Sequence, residues 1–138
     1  MPRPSTPALA VDVIIELEDR PGRPIVLITR RFPPAGHAFP GGFVDIGETV
    51  EQTARREALE ETGLDIRLGA LLGVYSDPAR DPRGHTVSLV YIATATGEPV
   101  AGDDAAGVLV VDPGDAPPLA FDHRRILDDY LRRIEFQS

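Results

Sequence analysis

Residues 41–64, GGFVDIGETVEQTARREALEETGL, constrain the chain more tightly than any other stretch, because both ends of a helix are written in them. Thr49 has a side chain suited to a helix N-cap, and Gln52 three residues later completes a capping box. Gly63 can take the left-handed conformation that closes a helix, so the spacing predicts a helix from about 50 to 62. At 100° per residue, Glu57, Glu60 and Glu61 fall within an arc of about 100°, on the side that also carries Val50, Thr53 and Ala54. Neighbours at these spacings have Cβ atoms about 5–6 Å apart, and like charges there repel by about 3 kcal/mol at an effective dielectric near 20. A solvated acidic face is the plain alternative. The small and apolar neighbours argue against it, since they should face a core, and carboxylates near a core need a cation. Clustered hard oxygen ligands suit Mg²⁺ or Mn²⁺.

Pro40-Gly41-Gly42 lets the backbone turn tightly and brings main-chain groups close to whatever the carboxylates bind. The succession Gly42, Glu48, Arg56-Glu57-Ala58, Glu60-Glu61, Gly63-Leu64, at its observed spacing, resembles the complete signature of the Nudix hydrolases. That resemblance implies an α/β/α sandwich with a mixed sheet and a loop–helix–loop catalytic motif. It also implies hydrolysis of a nucleoside diphosphate linked to another moiety, by attack of water on phosphorus with Mg²⁺ (or Mn²⁺) as electrophile. Carried over by position, Glu57, Glu60 and Glu61 are expected as catalytic metal ligands, with the Gly41 carbonyl as a further ligand. Glu57 is also the candidate base or water-orienting group. Gly42, Glu48, Arg56 and Gly63 are expected to support the site, Arg56 by pairing with Glu60 or Glu48. Relatives often bring another acidic ligand from outside the helix. Asp103 and Asp104 are the candidates, although GVLVV follows them where relatives usually carry charged residues and a tryptophan.

The remaining composition removes competing chemistries. With no cysteine there is no disulfide, thiolate–zinc site or cysteine nucleophile. All 14 basic residues are arginine, which excludes a Schiff base and a lysine-bearing P-loop. The net charge of −8 argues against nucleic-acid binding, so an anionic substrate needs a metal and local arginines. There is no apolar run near 18 residues and no signal-peptide pattern, and the expectation is a soluble cytoplasmic protein without membrane contact. The 138 residues fit one domain, 1–138, with a frayed start at 1–7.

Along the chain, Val11, Val13, Ile15 and Leu17 alternate as in a half-buried strand over 9–17, and 25–29 resumes as a second strand pairing with it as a hairpin. Residues 30–43 hold too many prolines and glycines for regular structure. Strands are expected over 66–75, with bulges at Gly69 and Gly73, and over 86–96, with a short edge strand at 108–111. Ile126, Leu127, Tyr130, Leu131 and Ile134 have the spacing of a helix with one buried face.

Arg30, Arg31, Arg80 and Arg83 sit in loops flanking the signature, where guanidinium forks are candidates to hold phosphate. Phe39 is a candidate to stack on a base or to pack, and His85 to bind substrate or to serve structurally. The loop 76–85, SDPARDPRGH, and Leu119-Ala120-Phe121-Asp122-His123 are similar to the bacterial and archaeal ADP-ribose pyrophosphatase branch of the family. This implies ADP-ribose as substrate, cleaved to AMP and ribose 5-phosphate; a homodimer is a separate expectation. The alternatives are an 8-oxo-dGTP-type triphosphate pyrophosphohydrolase and a nucleotide sensor without catalysis.

Overall fold

β1 (Ala8–Leu17) is the strand from which both layers of the molecule are built. A computed structural model describes residues 4–102 and 104–137, and Asp103 therefore lies outside the described residues. On one face of β1, Val11, Val13, Ile15 and Leu17 meet Ala54 and Ala58 of α1 (Val50–Thr62) in one buried cluster. On the other face, Ile14 packs in a second cluster with Phe39 and with Ile126, Leu127 and Tyr130 of α2 (His123–Gln137). The strand is thus covered on both sides rather than half-buried. Its even positions looked solvent-facing because they include Asp12 and Glu16. α2 supplies their partners: the Tyr130 hydroxyl donates to Glu16 Oε2 at 2.5 Å, and His123 stands beside Asp12.

Among the described residues seven strands form one mixed sheet, in the order β3 (His37–Ala38), β2 (Ile25–Arg30), β1, β6 (Thr86–Ala95), β5 (Arg67–Tyr75), with β4 (Gly41–Phe43) added to β1 and β7 (Ala105–Val111) to β2. β6 (Thr86–Ala95) runs parallel to β1 in an unbroken ladder from Ala8↔Thr86 to Leu17↔Ala95. The expected hairpin partner, β2 (Ile25–Arg30), meets β1 antiparallel at Glu16↔Ile25. Nearer its start, the register Ala10↔Phe43, Val11↔Gly42, Asp12↔Gly41 gives β1 to β4 (Gly41–Phe43). The segment expected to be irregular therefore contains β4 and the two-residue β3 (His37–Ala38), because glycine permits a backbone approach that side chains would block. A Cβ on Gly41 would stand 2.3 Å from the Val11 carbonyl oxygen. β5 (Arg67–Tyr75) shows its two irregularities around Leu71, next to the expected glycines. β7 (Ala105–Val111) begins earlier than its apolar run because its ladder with β2 continues, past a register shift after Thr29, to Arg30↔Ala105.

The helix caps are as the sequence requires. Thr49 Oγ accepts from the Gln52 N–H, the Gln52 side chain accepts from the Thr49 N–H, and Gly63 has φ 71°. The far end of α1 is closed a second time by the β6–β7 connection. The Val100 and Gly102 N–H groups donate to the Thr62 and Glu61 carbonyls at 2.8 and 3.0 Å. No helix among the described residues is long and apolar enough to cross a membrane.

Tyr130→Phe removes the hydroxyl that α2 gives to Glu16. A hydrogen bond to a charged group contributes about 1.5–3 kcal/mol, and urea unfolding should show a loss of that size. An unchanged midpoint would mean that Arg23, 3.1 Å from Glu16 Oε1, suffices alone.

Candidate active site

The inward face of α1 carries small residues at Ala54 and Ala58, and this lets the helix lie close against β1 and β4. Its carboxylates are delivered to the sheet by that closeness. Glu61 is 9 % exposed, and its Oε2 accepts the Gly41 N–H at 3.0 Å. Among the described residues no guanidinium forms a salt bridge with it, and burial, with the nearby charges of Glu57 and Asp12, pushes its carboxyl up to about 8. Glu57 lies over Gly42, where a Cβ would meet its carboxylate at 2.4 Å. Burial also raises Glu57; Arg56 opposes the shift, and Glu60 and Asp104 add to it. Glu60 is different. More than half of its side chain is exposed, with Arg56 Nη1 at 3.4 Å. Among the described residues no three acidic or imidazole groups are gathered closely enough to enclose a cation as they stand.

Arg56 meets both partners the sequence allowed, and more. Its Nε and Nη2 hold Glu48 at 2.7 and 2.9 Å, Nη1 holds Glu57 Oε1 at 2.8 Å, and Nη2 also reaches the Phe43 carbonyl at 3.1 Å. The bidentate bond from Arg56, then the bond from Thr53, hold Glu48 down at about 2.

Opposite the glutamates, one tripeptide holds three separate parts of the wall. Phe121 has Arg30 and Arg83 over its ring, with guanidinium carbons 4.8 and 5.1 Å from the centroid. Asp122 binds Arg80 through both oxygens, at 2.9 and 2.7 Å. His123 Nδ1 accepts the Phe39 N–H at 3.1 Å, which puts the neutral ring's proton on Nε2, 3.7 Å from Asp12 Oδ2. Ser88 donates to the same oxygen at 2.5 Å. Burial pushes Asp12 up, but His123, Ser88 and Arg80 together outweigh it and leave the carboxyl below its ordinary value.

These groups line a cavity of about 380 Å³ that brings together Gly41, Gly42, Glu57, Glu61, Asp104, Arg30, Arg80, Arg83 and Phe39. Arg31 and His85 are not on its wall: Arg31 reaches the Ala105 carbonyl at 3.4 Å, and His85 Nε2 pairs with the Ser76 carbonyl at 3.0 Å. Arg80 faces the cavity but is buried with both forks on Asp122, so its charge is already neutralised. Arg83 is paired with Asp81 and Arg30 with the Pro34 carbonyl. Burial first, and the charge of Arg83 second, pull Arg30 below its ordinary value. Phe39 is buried and stacks on His123 with ring centroids 5.2 Å apart, which makes packing its visible role. Asp12 was not singled out from the sequence, although it is a charge set inside the apolar run of β1; Phe121, Asp122 and His123 were marked only as part of a stretch that resembles the ADP-ribose branch, with no role in the site assigned to any of them.

The family model for the NUDIX domain matches residues 6–130. The chain is 50 % identical over 129 residues to an ADP-ribose pyrophosphatase of Methanocaldococcus jannaschii, covering 91 % of this chain and 74 % of that protein. A crystal structure of the NUDIX domain of Shewanella oneidensis NrtR complexed with ADP ribose is similar at a TM-score of 0.81 and 26 % identity, over 94 % of this chain and 90 % of that one. A bifunctional NMN adenylyltransferase/ADP ribose pyrophosphatase from Francisella tularensis, complexed with AMP and Mn ion, also gives 0.81 at 26 % identity. That match covers 93 % of this chain and 42 % of the larger protein. With a family model matching most of its length and a relative identical at half of the aligned positions, the chain belongs to the NUDIX domain family.

Proposed function

We propose that this protein is a divalent-cation-dependent pyrophosphohydrolase that cleaves ADP-ribose to AMP and ribose 5-phosphate. The observation that carries the reading is the opposition, across one cavity, of a carboxylate wall at Glu57 and Glu61 to a cationic pair at Arg30 and Arg83. A substrate with a diphosphate between two sugars presents its charge in the middle, where both walls can reach it. The relatives named above support the choice of ADP-ribose over a nucleoside triphosphate.

The residues fit a divalent ion. Glu61 is a buried carboxylate with no guanidinium salt bridge among the described residues, and the donor set is all hard oxygen. Glu57, Glu61 and the Gly41 carbonyl would hold Mg²⁺ or Mn²⁺, with Glu60 joining by leaving Arg56 and Asp104 standing near Glu57. When bound, such an ion neutralises phosphate oxygens and lowers the pKa of a water. Arg56 fixes Glu57 through Oε1, so Oε2 is left to orient the attacking water and accept its proton. Water adds to one phosphorus of the diphosphate, the bridging P–O bond breaks, and the bridging oxygen leaves on the other phosphate. The chain acts on a small nucleotide rather than on nucleic acid or membrane, and cytoplasmic location and homodimer formation belong to the same proposal.

Turnover of ADP-ribose with Mg²⁺ or Mn²⁺, abolished by EDTA and restored by either ion, is the expected result. Activity undiminished in chelator would overturn the metal reading. A tenfold preference for 8-oxo-dGTP in kcat/KM would overturn the substrate, and binding of ADP-ribose without turnover would make the protein a sensor.

Glu61→Gln should lower kcat by about a hundredfold or more, the scale of losing preorganised charge stabilisation. The same variant should gain stability in EDTA. The folded pKa of about 8 lies above the ordinary 4.5. Between those values the folded chain holds a proton that the unfolded chain has released, and wild-type stability falls as pH rises. Glutamine carries no such penalty, so its advantage in melting temperature should widen from pH 5 to pH 8.5. A variant that melts with or below wild type at pH 8.5 would refute the charge argument.

A further inference from the structure

Phe121 has a backbone φ of +56°, a left-handed conformation that side chains seldom adopt. Both flanks pin it there: the Ala120 N–H donates to the His37 carbonyl at 2.8 Å, and Asp122 is clamped to Arg80. The outcome is a ring at the cavity wall with two guanidinium groups over it, one from the end of β2 and one from the loop between β5 and β6. Arg30 and Arg83 are far apart in sequence and carry like charges, so nothing in their own chemistry brings them together. The negative face of the ring attracts each of them. Other groups hold these cations from outside, the Asp81 carboxylate and the Phe43 ring (5.4 Å from centroid to guanidinium carbon) for Arg83 and the Pro34 backbone carbonyl for Arg30, and the Phe121 ring is the element they share.

We propose that Phe121 is a positioning residue whose ring gathers Arg30 and Arg83 into one anion-binding pair that grips the diphosphate of the substrate. The identity of the substrate rests on the hydrolase reading, whereas the diphosphate grip can be read without turnover. A ring that merely filled space would leave the two arginines independent of it. A ring that assembles them makes their contributions depend on its presence.

Calorimetric titration of the full chain with inorganic pyrophosphate, in low-salt buffer containing EDTA, tests this apart from catalysis. Two cation–π contacts at partly exposed sites correspond to about five- to thirtyfold in binding. Phe121→Leu should therefore weaken pyrophosphate by that factor, and Phe121→Tyr should restore it to within about twofold. Arg83→Gln should weaken binding severalfold in the wild-type chain but by less than about twofold in Phe121→Leu. With ADP-ribose and Mg²⁺, Phe121→Leu should act mainly on KM. If Phe121→Leu fails to fold, pentafluorophenylalanine at position 121 keeps the shape, reverses the charge distribution of the ring, and should weaken pyrophosphate as the leucine would. Wild-type chain that does not bind pyrophosphate, a ring replacement that binds as tightly as wild type, or losses at Phe121 and Arg83 that simply multiply would each overturn the proposal. Absence of ADP-ribose hydrolysis alongside coupled pyrophosphate binding would overturn the substrate and leave the pair standing.

Discussion

The guanidinium of Arg56 is the fixed point of the acidic half of the molecule. Glu48, Glu57 and Glu60 all lie within its reach, and Asp45 stands 3.4 Å away. Without that cation the loop before α1 and the helix itself would confront each other as like charges. With it, the loop 43–48 is tied to the second turn of the helix by a bidentate bond, and Glu57 keeps one oxygen committed while the other stays free. An arginine suits this place better than a lysine, because its planar fork can bind two carboxylates and a carbonyl at once in one plane.

The other half depends on α2, whose buried face is less apolar than its spacing suggests. Ile126 and Leu127 pack under β1, while Tyr130 and His123 meet Glu16 and Asp12 on the same strand. Polar groups brought into this layer therefore come in satisfied pairs, as burial requires. The floor of the cavity is made from one of these pairs. Fold and site share atoms there: the Phe39 N–H that would otherwise be a buried orphan is accepted by the imidazole that faces Asp12.

What could be read from the sequence was local. Thr49, Gln52 and Gly63 act within one or two turns of chain, and they placed α1 to the residue. The alternation in β1 and the spacing in α2 were equally local. What escaped were contacts between segments far apart: Arg80 with Asp122, the Phe121 ring with Arg30 and Arg83, and β4 with β1. None of these has a periodicity, since each depends on where the folded sheet brings two loops. Glu60 shows the same limit within the helix. The arc that grouped it with Glu57 and Glu61 was sound, but an arc of about 100° is wide enough to reach from the buried seam to open solvent. Arg80, expected as a substrate contact, does line the cavity, but its ion pair with Asp122 could not be seen in the sequence, where charge is visible and pairing is not.

The docking of the β6–β7 connection on the end of α1 bears on how the acidic helix is held. A helix carrying several carboxylates on one face is under electrostatic tension whenever no cation is present, and its last turn is where it would fray. Here the Thr62 and Glu61 carbonyls are occupied by backbone amides from residues 100 and 102, and a Cβ at Gly102 would lie 1.7 Å from the Glu60 carbonyl oxygen. The chain supplies its own clasp. The frame of the helix is thus assembled without a cation, and a divalent ion of the kind proposed above would not have to serve as its scaffold.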